Sequence, residues 1–349
     1  MRPNNFDLIR LLAAFQVVML HAKGHLKIDN TLLNISGEVL SYFPGVPIFF
    51  FLSGFLVSKS VERCKSIRSY AVSRSLRILP GLWCCFIFSV IVVFALSPSL
   101  IINAEPKRLA AWIFAQTTIF QFFNPEFLRT FGCGTLNGSL WTIPVEIQFY
   151  ICTPIVYYLF IASKKRSFRN SLILLTFFIA ISQVINLGSG RFDNAIWFKL
   201  ILCSMLPYYW IFVLGLIAQR NFKSIEPLIR GKLVHWLVIY ICVIFLCRIL
   251  ELPVKGHGTF PIVTGCLAGV TLALAYTWPK LSDNLLRHND ISYGIYVYHM
   301  VIVNAFIEMK LTHNPVYLLF VLLLTFICAT ASWLWIEKPC IQLKKKWIA

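Results

Sequence analysis

Residues 6–26 read FDLIRLLAAFQVVMLHAKGHL, an apolar run of about the length that crosses a ~30 Å bilayer core. Two ionisable residues interrupt this run, Arg10 and His21. At about 100° per residue their side chains share one helix face, separated by about 16 Å of helix rise. Ionisable groups inside a bilayer are costly and usually functional. The segment therefore predicts a membrane helix whose polar face lines a protein interior or a wet cavity.

The composition extends this prediction to the whole chain. Hydrophobic residues make up 58% of it and charged residues 13%, against about 25% charged residues in soluble proteins. A further stretch at 109–123 is short and contains two glutamines, which favours an interfacial or re-entrant segment. We predict an all-α, polytopic membrane bundle of about ten transmembrane helices, forming one domain over residues 1–349 with no appended soluble domain. The ten apolar runs are 6–26, 40–58, 78–101, 140–163, 171–187, 200–218, 233–250, 260–279, 292–309 and 315–336.

The basic residues predict the orientation of these spans. With a cytoplasmic amino terminus, roughly two-thirds of the lysines and arginines fall on the cytoplasmic side, as the positive-inside rule expects. Among them are Arg2, Lys65 and the run Lys164, Lys165 and Arg166. Both termini are then cytoplasmic. The net charge of +18 is explained by this topology and by anionic lipid, so it indicates no nucleic-acid partner.

Neither the cysteines nor the first segment indicates a disulfide-rich protein, a metalloprotein or a secreted protein. The 11 cysteines are scattered and form no C-x-x-C pair, so we expect neither a disulfide framework nor a metal site. The first span lacks a small-residue cleavage site, which favours a retained helix over a removed signal peptide.

A carboxylate enters the membrane near His21. The stretch LNGSLWTIPVEIQFY at 136–150 opens the fourth span from the outer side, and Glu146 lies about one and a half turns inside the boundary. Glu146 and His21 enter the outer half of the membrane from opposite directions, so they could share a proton or orient one another. Alternatively, Glu146 pairs with a lysine or caps a helix, and His21 is a structural histidine bonded to a helix carbonyl.

Three further motifs place polar or small residues in or beside spans. Arg74, Arg77 and Pro80 follow an R-x-x-R-x-x-P rhythm. Both guanidiniums then lie on one helical edge, suited to phosphate, just before a proline that breaks or restarts the helix. Ordinary headgroup contact is the alternative. Gly54, with Ser53 in FFFLSGFLVS, predicts close helix packing. His299 in SYGIYVYHM is either a polar residue of a cavity or a buried structural histidine.

Six motifs in order along the chain resemble the acyltransferase-3 family of membrane O-acyltransferases, which modify sugars of bacterial envelope polysaccharides such as O-antigen. They are R-x10-H at Arg10 and His21, FFFLSGFLV at 49–57, R-x-x-R-x-x-P at 74–80, LWTIPVEIQFY at 140–150, ISYGIYVYHM at 291–300 and WIEKP at 335–339. The resemblance implies a multi-pass protein of the bacterial cytoplasmic (inner) membrane. It implies transfer of an acyl group, most often acetyl, from cytoplasmic acyl-coenzyme A to a hydroxyl of an envelope glycan or lipid-linked oligosaccharide on the outer face.

The resemblance also implies roles for the matched residues. His21 would be catalytic, and our own reasoning adds Glu146 beside it. The donor acetyl-CoA would be held by three arginines, Arg10, Arg74 and Arg77. We assign acceptor binding to Asn137, Trp141, Tyr150 and His299.

Two alternatives stay open. His21 either deprotonates the acceptor hydroxyl for direct transfer, which we favour, or attacks the thioester and carries the acyl group itself. A different class of protein, a proton-coupled or solute transporter, would use the same intramembrane Arg, His and Glu residues as a relay. The absence of a visible internal repeat weighs against the transporter.

Overall fold

The computed structural model describes residues 4–64, 66–161 and 167–348. Several basic residues assigned above to the cytoplasmic side, Arg2, Lys65, Lys164, Lys165 and Arg166, lie outside the described residues, as do both chain ends. Within the described residues the secondary structure is entirely helical, without strands. The prediction of an all-α fold is confirmed for this part of the chain.

The helices follow the apolar runs. Each of the ten predicted segments contains one main helix, and three of them also include part of a second: α2 in 40–58, α5 in 78–101 and α9 in 200–218. The π-helical turns at Tyr157–Ile161 and Trp333–Glu337 extend α7 and α16. In chain order the helices are α1 Phe6–His25, α2 Thr31–Ser41, α3 Gly45–Arg63, α4 Ile67–Leu96, α5 Pro98–Ile102, α6 Pro106–Thr117, α7 Thr142–Val156, α8 Ser167–Gly188, α9 Ile196–Leu202, α10 Tyr209–Arg220, α11 Phe222–Ile229, α12 Leu233–Ile249, α13 Pro261–Thr277, α14 Leu281–Leu286, α15 Ser292–Glu308, α16 Pro315–Ser332 and α17 Lys338–Ile348.

Four helical stretches in the described part of the chain are long and apolar enough to cross a membrane, or five if the bent pair α11 and α12 counts as one span. The four are Thr31–Arg63, Ile67–Leu96, Arg169–Gly188 and Pro315–Leu343. Several other predicted spans form shorter helices, such as α10 with 12 residues and α13 and α15 with 17 each. At 1.5 Å per residue these fall short of a ~30 Å core. The protein is therefore a membrane protein built of helices, and ten crossings stay a prediction.

Helix α4 differs from its predicted form. It begins at Ile67, well before the predicted start at 78, and continues without a break through Pro80 to Leu96. The expectation that Pro80 breaks or restarts the helix is wrong. A proline removes one backbone donor and crowds the preceding turn, and a helix of 30 residues retains enough other hydrogen bonds to continue past it.

The chain divides into two compact units. Unit 1 is drawn from Met1–Ala13, Tyr42–Ile67 and Val145–His288, and unit 2 from Ala14–Ser41, Arg68–Pro144 and Asn289–Ala349. Helix α1 thus contributes its first turns to unit 1 and the remainder to unit 2.

Unit 1 is held together by a close contact between α3 and α10. A Cβ atom added at Gly54 would lie 2.0 Å from the carbonyl oxygen of Phe212, and one at Gly215 would lie 2.3 Å from that of Phe51. Small residues let helix backbones approach in this way inside membranes. The prediction that Gly54 allows close packing is confirmed.

Unit 1 also fixes the start of α1. The fully buried Asn5 side chain donates to the carbonyls of Leu274 and Trp278 at 3.1 and 2.8 Å and accepts from the amide of Ser282 at 2.9 Å. These bonds satisfy backbone groups at the end of α13 that would otherwise be buried without partners.

Unit 2 is organised around α15. Gly294 of α15 lies against α16, where an added Cβ would be 2.8 Å from the Cα of Ala329. On the side of α4, the Tyr293 hydroxyl donates to the carbonyl of Ile78 at 2.9 Å, and the rings of Phe88 and Tyr298 meet edge to face. Helix α15 is therefore enclosed by neighbours from the same unit.

Substitution of Gly54 by alanine should destabilise unit 1. The new methyl group meets backbone rather than a movable side chain, so we expect a loss of about 1–3 kcal/mol and a lower melting temperature of the detergent-solubilised protein. The matched control is Gly265→Ala on α13, where an added Cβ meets nothing within 4 Å. Equal melting temperatures for the two variants would contradict the close contact between α3 and α10.

Candidate active site

A pair of hydrogen-bonded histidines lies in unit 2. The Nδ1 atom of His21 on α1 is 3.0 Å from the Nε2 atom of His299 on α15, and the two ring planes differ by 25° with their centroids 5.3 Å apart. His299 is 0% exposed, whereas His21 is partly exposed. A second nitrogen of His299, Nδ1, lies 2.7 Å from the carbonyl oxygen of Tyr296. The histidine in hydrogen-bond contact with His21 thus comes from α15.

The outer segment before α7 is fastened to α15 around this pair. Asn137 donates to the carbonyl of Val297 at 2.8 Å, and the Tyr296 hydroxyl donates to the carbonyl of Ser139 at 3.0 Å and contacts Thr142 Oγ1 at 2.8 Å. Asn137, which we assigned to acceptor binding, therefore anchors this segment beside His299. Trp141 ends the 3-10 turn of the same segment and is half-buried.

Farther along α15, Asn304 holds a tight turn. Its side chain donates to the carbonyls of Thr135 and Leu136 at 3.0 and 2.9 Å and accepts from the amide of Cys133 at 2.7 Å. Gly132 has φ +57 and packs so closely that an added Cβ would lie 2.2 Å from Asn304 Oδ1. This position requires glycine, since another residue would be strained and would clash.

Glu146 lies in unit 1 with two hydroxyl partners. Ser53 of α3 donates to its Oε1 atom at 3.0 Å, and the Tyr150 hydroxyl, one turn farther along α7, donates to the same atom. Tyr150, assigned above to acceptor binding, thus contacts a carboxylate that we assigned to catalysis. Two donated hydrogen bonds satisfy part of the carboxylate's demand for donors.

The three arginines assigned to coenzyme A differ in their surroundings. Arg77 forms an ion pair with Asp290, which is only 5% exposed and also accepts from the amide of Ser292 at 3.3 Å. Arg74 lies one turn earlier on the same helix. Arg10 belongs to unit 1, where it pairs with Asp7 at 2.9 Å.

The sequence analysis missed the role of one residue in these networks and overlooked another residue entirely. Ser53 stood out as a small packing residue, but its hydroxyl reaches Glu146. Asp290, directly before the ISYGIYVYHM motif, went unnoticed although it fixes Arg77 to the start of α15. A lone acidic residue just before a helix that starts with serine is a known signal for hydrogen bonds to the first turn, so Asp290 could have been found.

Comparison with known proteins gives the class of this chain. The sequence profile of the acyltransferase-3 family, described as an acyltransferase domain, matches residues 4–334. The chain belongs to this family of acyltransferases, and the resemblance inferred from the six motifs is confirmed.

Three relatives extend the comparison. Nodulation protein 10 of Rhizobium leguminosarum bv. viciae is 29% identical over 362 residues, which cover 99% of this chain and 95% of that protein. An O-acetyl transferase of Shigella phage Sf6 is 25% identical over 85% of this chain and 84% of its own length. A putative peptidoglycan O-acetyltransferase of Bacillus subtilis (strain 168), YrhL, is 23% identical over 85% of this chain but 50% of its own length, so the chain spans half of that relative. No solved structure gives a significant match.

Replacement of Asp290 by alanine should destabilise unit 2. It removes both the partner of Arg77 and an acceptor for the first turn of α15, so we expect a loss of about 1–3 kcal/mol, seen as a lower melting temperature. The matched control is Asp283→Ala, because Asp283 pairs with His288 at the surface and such pairs contribute at most about 1 kcal/mol. If Asp290→Ala and Asp283→Ala have the same melting temperature, the ion pair of Asp290 with Arg77 does not fix α15.

Proposed function

We propose that this protein is a multi-pass membrane O-acyltransferase that moves an acyl group, acetyl in the simplest case, from cytoplasmic acyl-coenzyme A to a sugar hydroxyl of an envelope glycan on the outer face. Family membership supports this proposal, as does the similarity to the phage O-acetyl transferase and to the putative peptidoglycan O-acetyltransferase of Bacillus subtilis. The observation that carries it is the contact between His21 and His299 at 3.0 Å, because a paired histidine is the usual general base near neutral pH.

The proposed reaction needs one base and no oxidant. His21 takes the proton of the acceptor hydroxyl, whose oxygen then attacks the thioester carbonyl carbon. The tetrahedral intermediate collapses as the carbon–sulfur bond breaks, and the imidazolium returns the proton to the leaving thiolate. The products are the O-acyl sugar and free coenzyme A. A covalent acyl-histidine remains the competing route.

The residues proposed to bind the donor follow the family resemblance, and those proposed to bind the acceptor are our own assignment. In this proposal Arg10, Arg74 and Arg77 bind the phosphates of the donor, since guanidinium groups suit bidentate phosphate contacts. Glu146 assists catalysis from α7, and Trp141 and Tyr150 contribute to acceptor binding with Asn137. The ion pair to Asp290 gives Arg77 a fixed position, which lowers the entropy lost on binding a phosphate.

We further propose ten membrane crossings in one domain, with both termini cytoplasmic and the protein in a bacterial inner membrane. Contacts within unit 2 support the number of crossings that this order places between α4 and α15. Helices α4 and α15 run parallel, because Arg77, about a third of the way along α4, meets Asp290 just before α15, and Ser97, just after α4, donates to Glu308 at the end of α15 at 2.6 Å. Parallel neighbours must cross in the same direction. The ten-span order gives this for the third and ninth spans.

The apolar stretch 109–123, which contains most of α6, bears on the number of crossings. An eleventh span there would reverse α15 relative to α4. The helix α6 has only 12 residues, about 18 Å of rise, which favours an interfacial or re-entrant segment. Helix α1 also ends beside the end of α15, where the amide of His313 donates to the carbonyl of Leu26 at 2.8 Å. In the ten-span order the first and ninth spans cross in the same direction, so their ends lie on the same side of the membrane.

Loss of His21 should abolish acylation. We expect cells that lack the chromosomal copy and carry the wild-type gene to add an acyl mass to their surface glycan, and cells carrying His21→Ala to add none. The matched control is His235→Ala, an exposed histidine of α12, at equal membrane levels. If His21→Ala adds the same mass, His21 is not the base; if wild type adds none while the transport of a solute changes, the protein is a transporter.

Cys133 should be labelled from outside. It is exposed in the loop before α7, so a membrane-impermeant maleimide added to intact cells should label wild type but not Cys133→Ser. Burial acts to raise the pKa of the Cys133 thiol, but hydrogen bonds with His25 and neighbouring groups outweigh it and lower the pKa. Because the thiolate reacts, labelling should continue to lower pH than with a free cysteine peptide. Labelling only after permeabilisation would contradict the proposed topology.

A further inference from the structure

The contacts of His299 fix where its protons are. Its Nδ1 atom lies 2.7 Å from the carbonyl oxygen of Tyr296. A carbonyl oxygen can only accept, so Nδ1 of His299 carries a hydrogen and donates. In a neutral imidazole the other nitrogen then has no hydrogen and can only accept.

The burial of His299 favours this neutral form. The side chain is 0% exposed, and its two nitrogens contact a carbonyl and another imidazole, neither of which carries a formal negative charge. An imidazolium in such a place would be a buried charge without a counter-ion, which is costly. The Nε2 atom of His299 is therefore an acceptor for the hydrogen bond that joins the two rings at 3.0 Å.

The proton on His21 follows from that acceptor. Because Nε2 of His299 accepts, Nδ1 of His21 must donate, so the neutral His21 ring is the tautomer protonated at Nδ1 with its basic lone pair on Nε2. The bond to Tyr296 holds His299 in this arrangement, and the 25° angle between the two ring planes suits a hydrogen bond that lies nearly in the plane of both rings. His25 is the other histidine ring beside His21, at 6.1 Å between centroids.

We propose that His299 is a positioning residue that sets the tautomer and orientation of His21, a role that rests on the proposed function of His21 as general base. In hydrolases of the Ser-His-Asp type a carboxylate holds the base in this tautomer. Here a buried neutral histidine supplies the acceptor. When His21 takes the proton of the hydroxyl at Nε2, its Nδ1–H bond to His299 becomes charge-assisted and stronger. In this proposal His299 acts through His21 without touching the acceptor, which replaces the acceptor-binding role that the sequence analysis assigned to it.

The outer segment before α7 holds the positioning residue in turn. Tyr296, whose carbonyl accepts from His299, is fixed by its hydroxyl to the carbonyl of Ser139 and to Thr142. The bond from Asn137 to the carbonyl of Val297 fixes the next residue of the same turn. A residue can orient a catalytic base only when its own position is fixed by further contacts.

Two variants of nearly equal size separate positioning from packing. In His299→Asn the amide nitrogen can replace Nδ1 and still donate to Tyr296, but no acceptor reaches His21. In His299→Gln the longer amide can place its oxygen where Nε2 lies. We expect His299→Asn to lower kcat by about 100-fold with an unchanged KM for acyl-coenzyme A, and His299→Gln to recover to within about tenfold of wild type.

A spectroscopic readout tests the positioning without relying on activity. Nitrogen NMR of histidine-labelled protein distinguishes the two neutral tautomers, and the His21 signals are identified by their loss in His21→Gln. We expect the Nδ1–H tautomer in wild type and His299→Gln and its loss in His299→Asn, with His235→Asn unchanged from wild type.

The outcomes separate the two proposals. An Nε2–H tautomer of His21 in folded wild type, or a His299→Asn variant that keeps both the tautomer and kcat, overturns the positioning role. If wild type transfers no acyl group at all, the proposed function fails, and the tautomer still decides whether His299 positions His21.

Discussion

The polar contacts along α15 determine the rest of the candidate site. At its start Asp290 pairs with Arg77 of α4, and at its end Glu308 accepts from Ser97, the residue that follows α4. Between these points its backbone and the Asn304 side chain form hydrogen bonds with the outer segment 132–142. The buried His299 lies between the anchors, so its position is set by several contacts rather than by its own rotamer. Groups buried away from water need such partners.

In the proposed mechanism this arrangement provides a general base without placing a charge beside it inside the membrane. A carboxylate next to His21 would stabilise the imidazolium more strongly, but a buried carboxylate is costly whenever the histidine is neutral. A neutral histidine avoids that cost and still provides a directional acceptor. Glu146, the carboxylate that the sequence places at a similar depth, has its described hydrogen bonds to Ser53 and Tyr150 in unit 1.

The sequence predicted the parts of the structure that depend on local pattern. The length of the apolar runs located the helices. A glycine in an apolar segment located the Gly54 contact, because a residue without a side chain allows a close approach whichever helix is its neighbour. The sequence was a poorer guide to which distant residues contact one another. Helical periodicity places Arg10 and His21 on one face, but it cannot say that His299, far along the chain, faces His21. The same holds for Asp290 and Arg77, whose pairing depends on how α4 and α15 pack. Pro80 shows the limit of local rules, since the helix continues through it.

The most direct test of the account is a sidedness assay with purified protein in sealed liposomes. Acetyl-coenzyme A labelled in the acetyl group is supplied outside only, and the acceptor glycan is enclosed inside only. The account predicts that free coenzyme A accumulates outside while the label becomes covalently attached to the enclosed glycan, and that neither happens with His21→Ala. Transfer only when both substrates share one side, or passage of a solute without any covalent change, would contradict acyl transfer across the membrane by this protein.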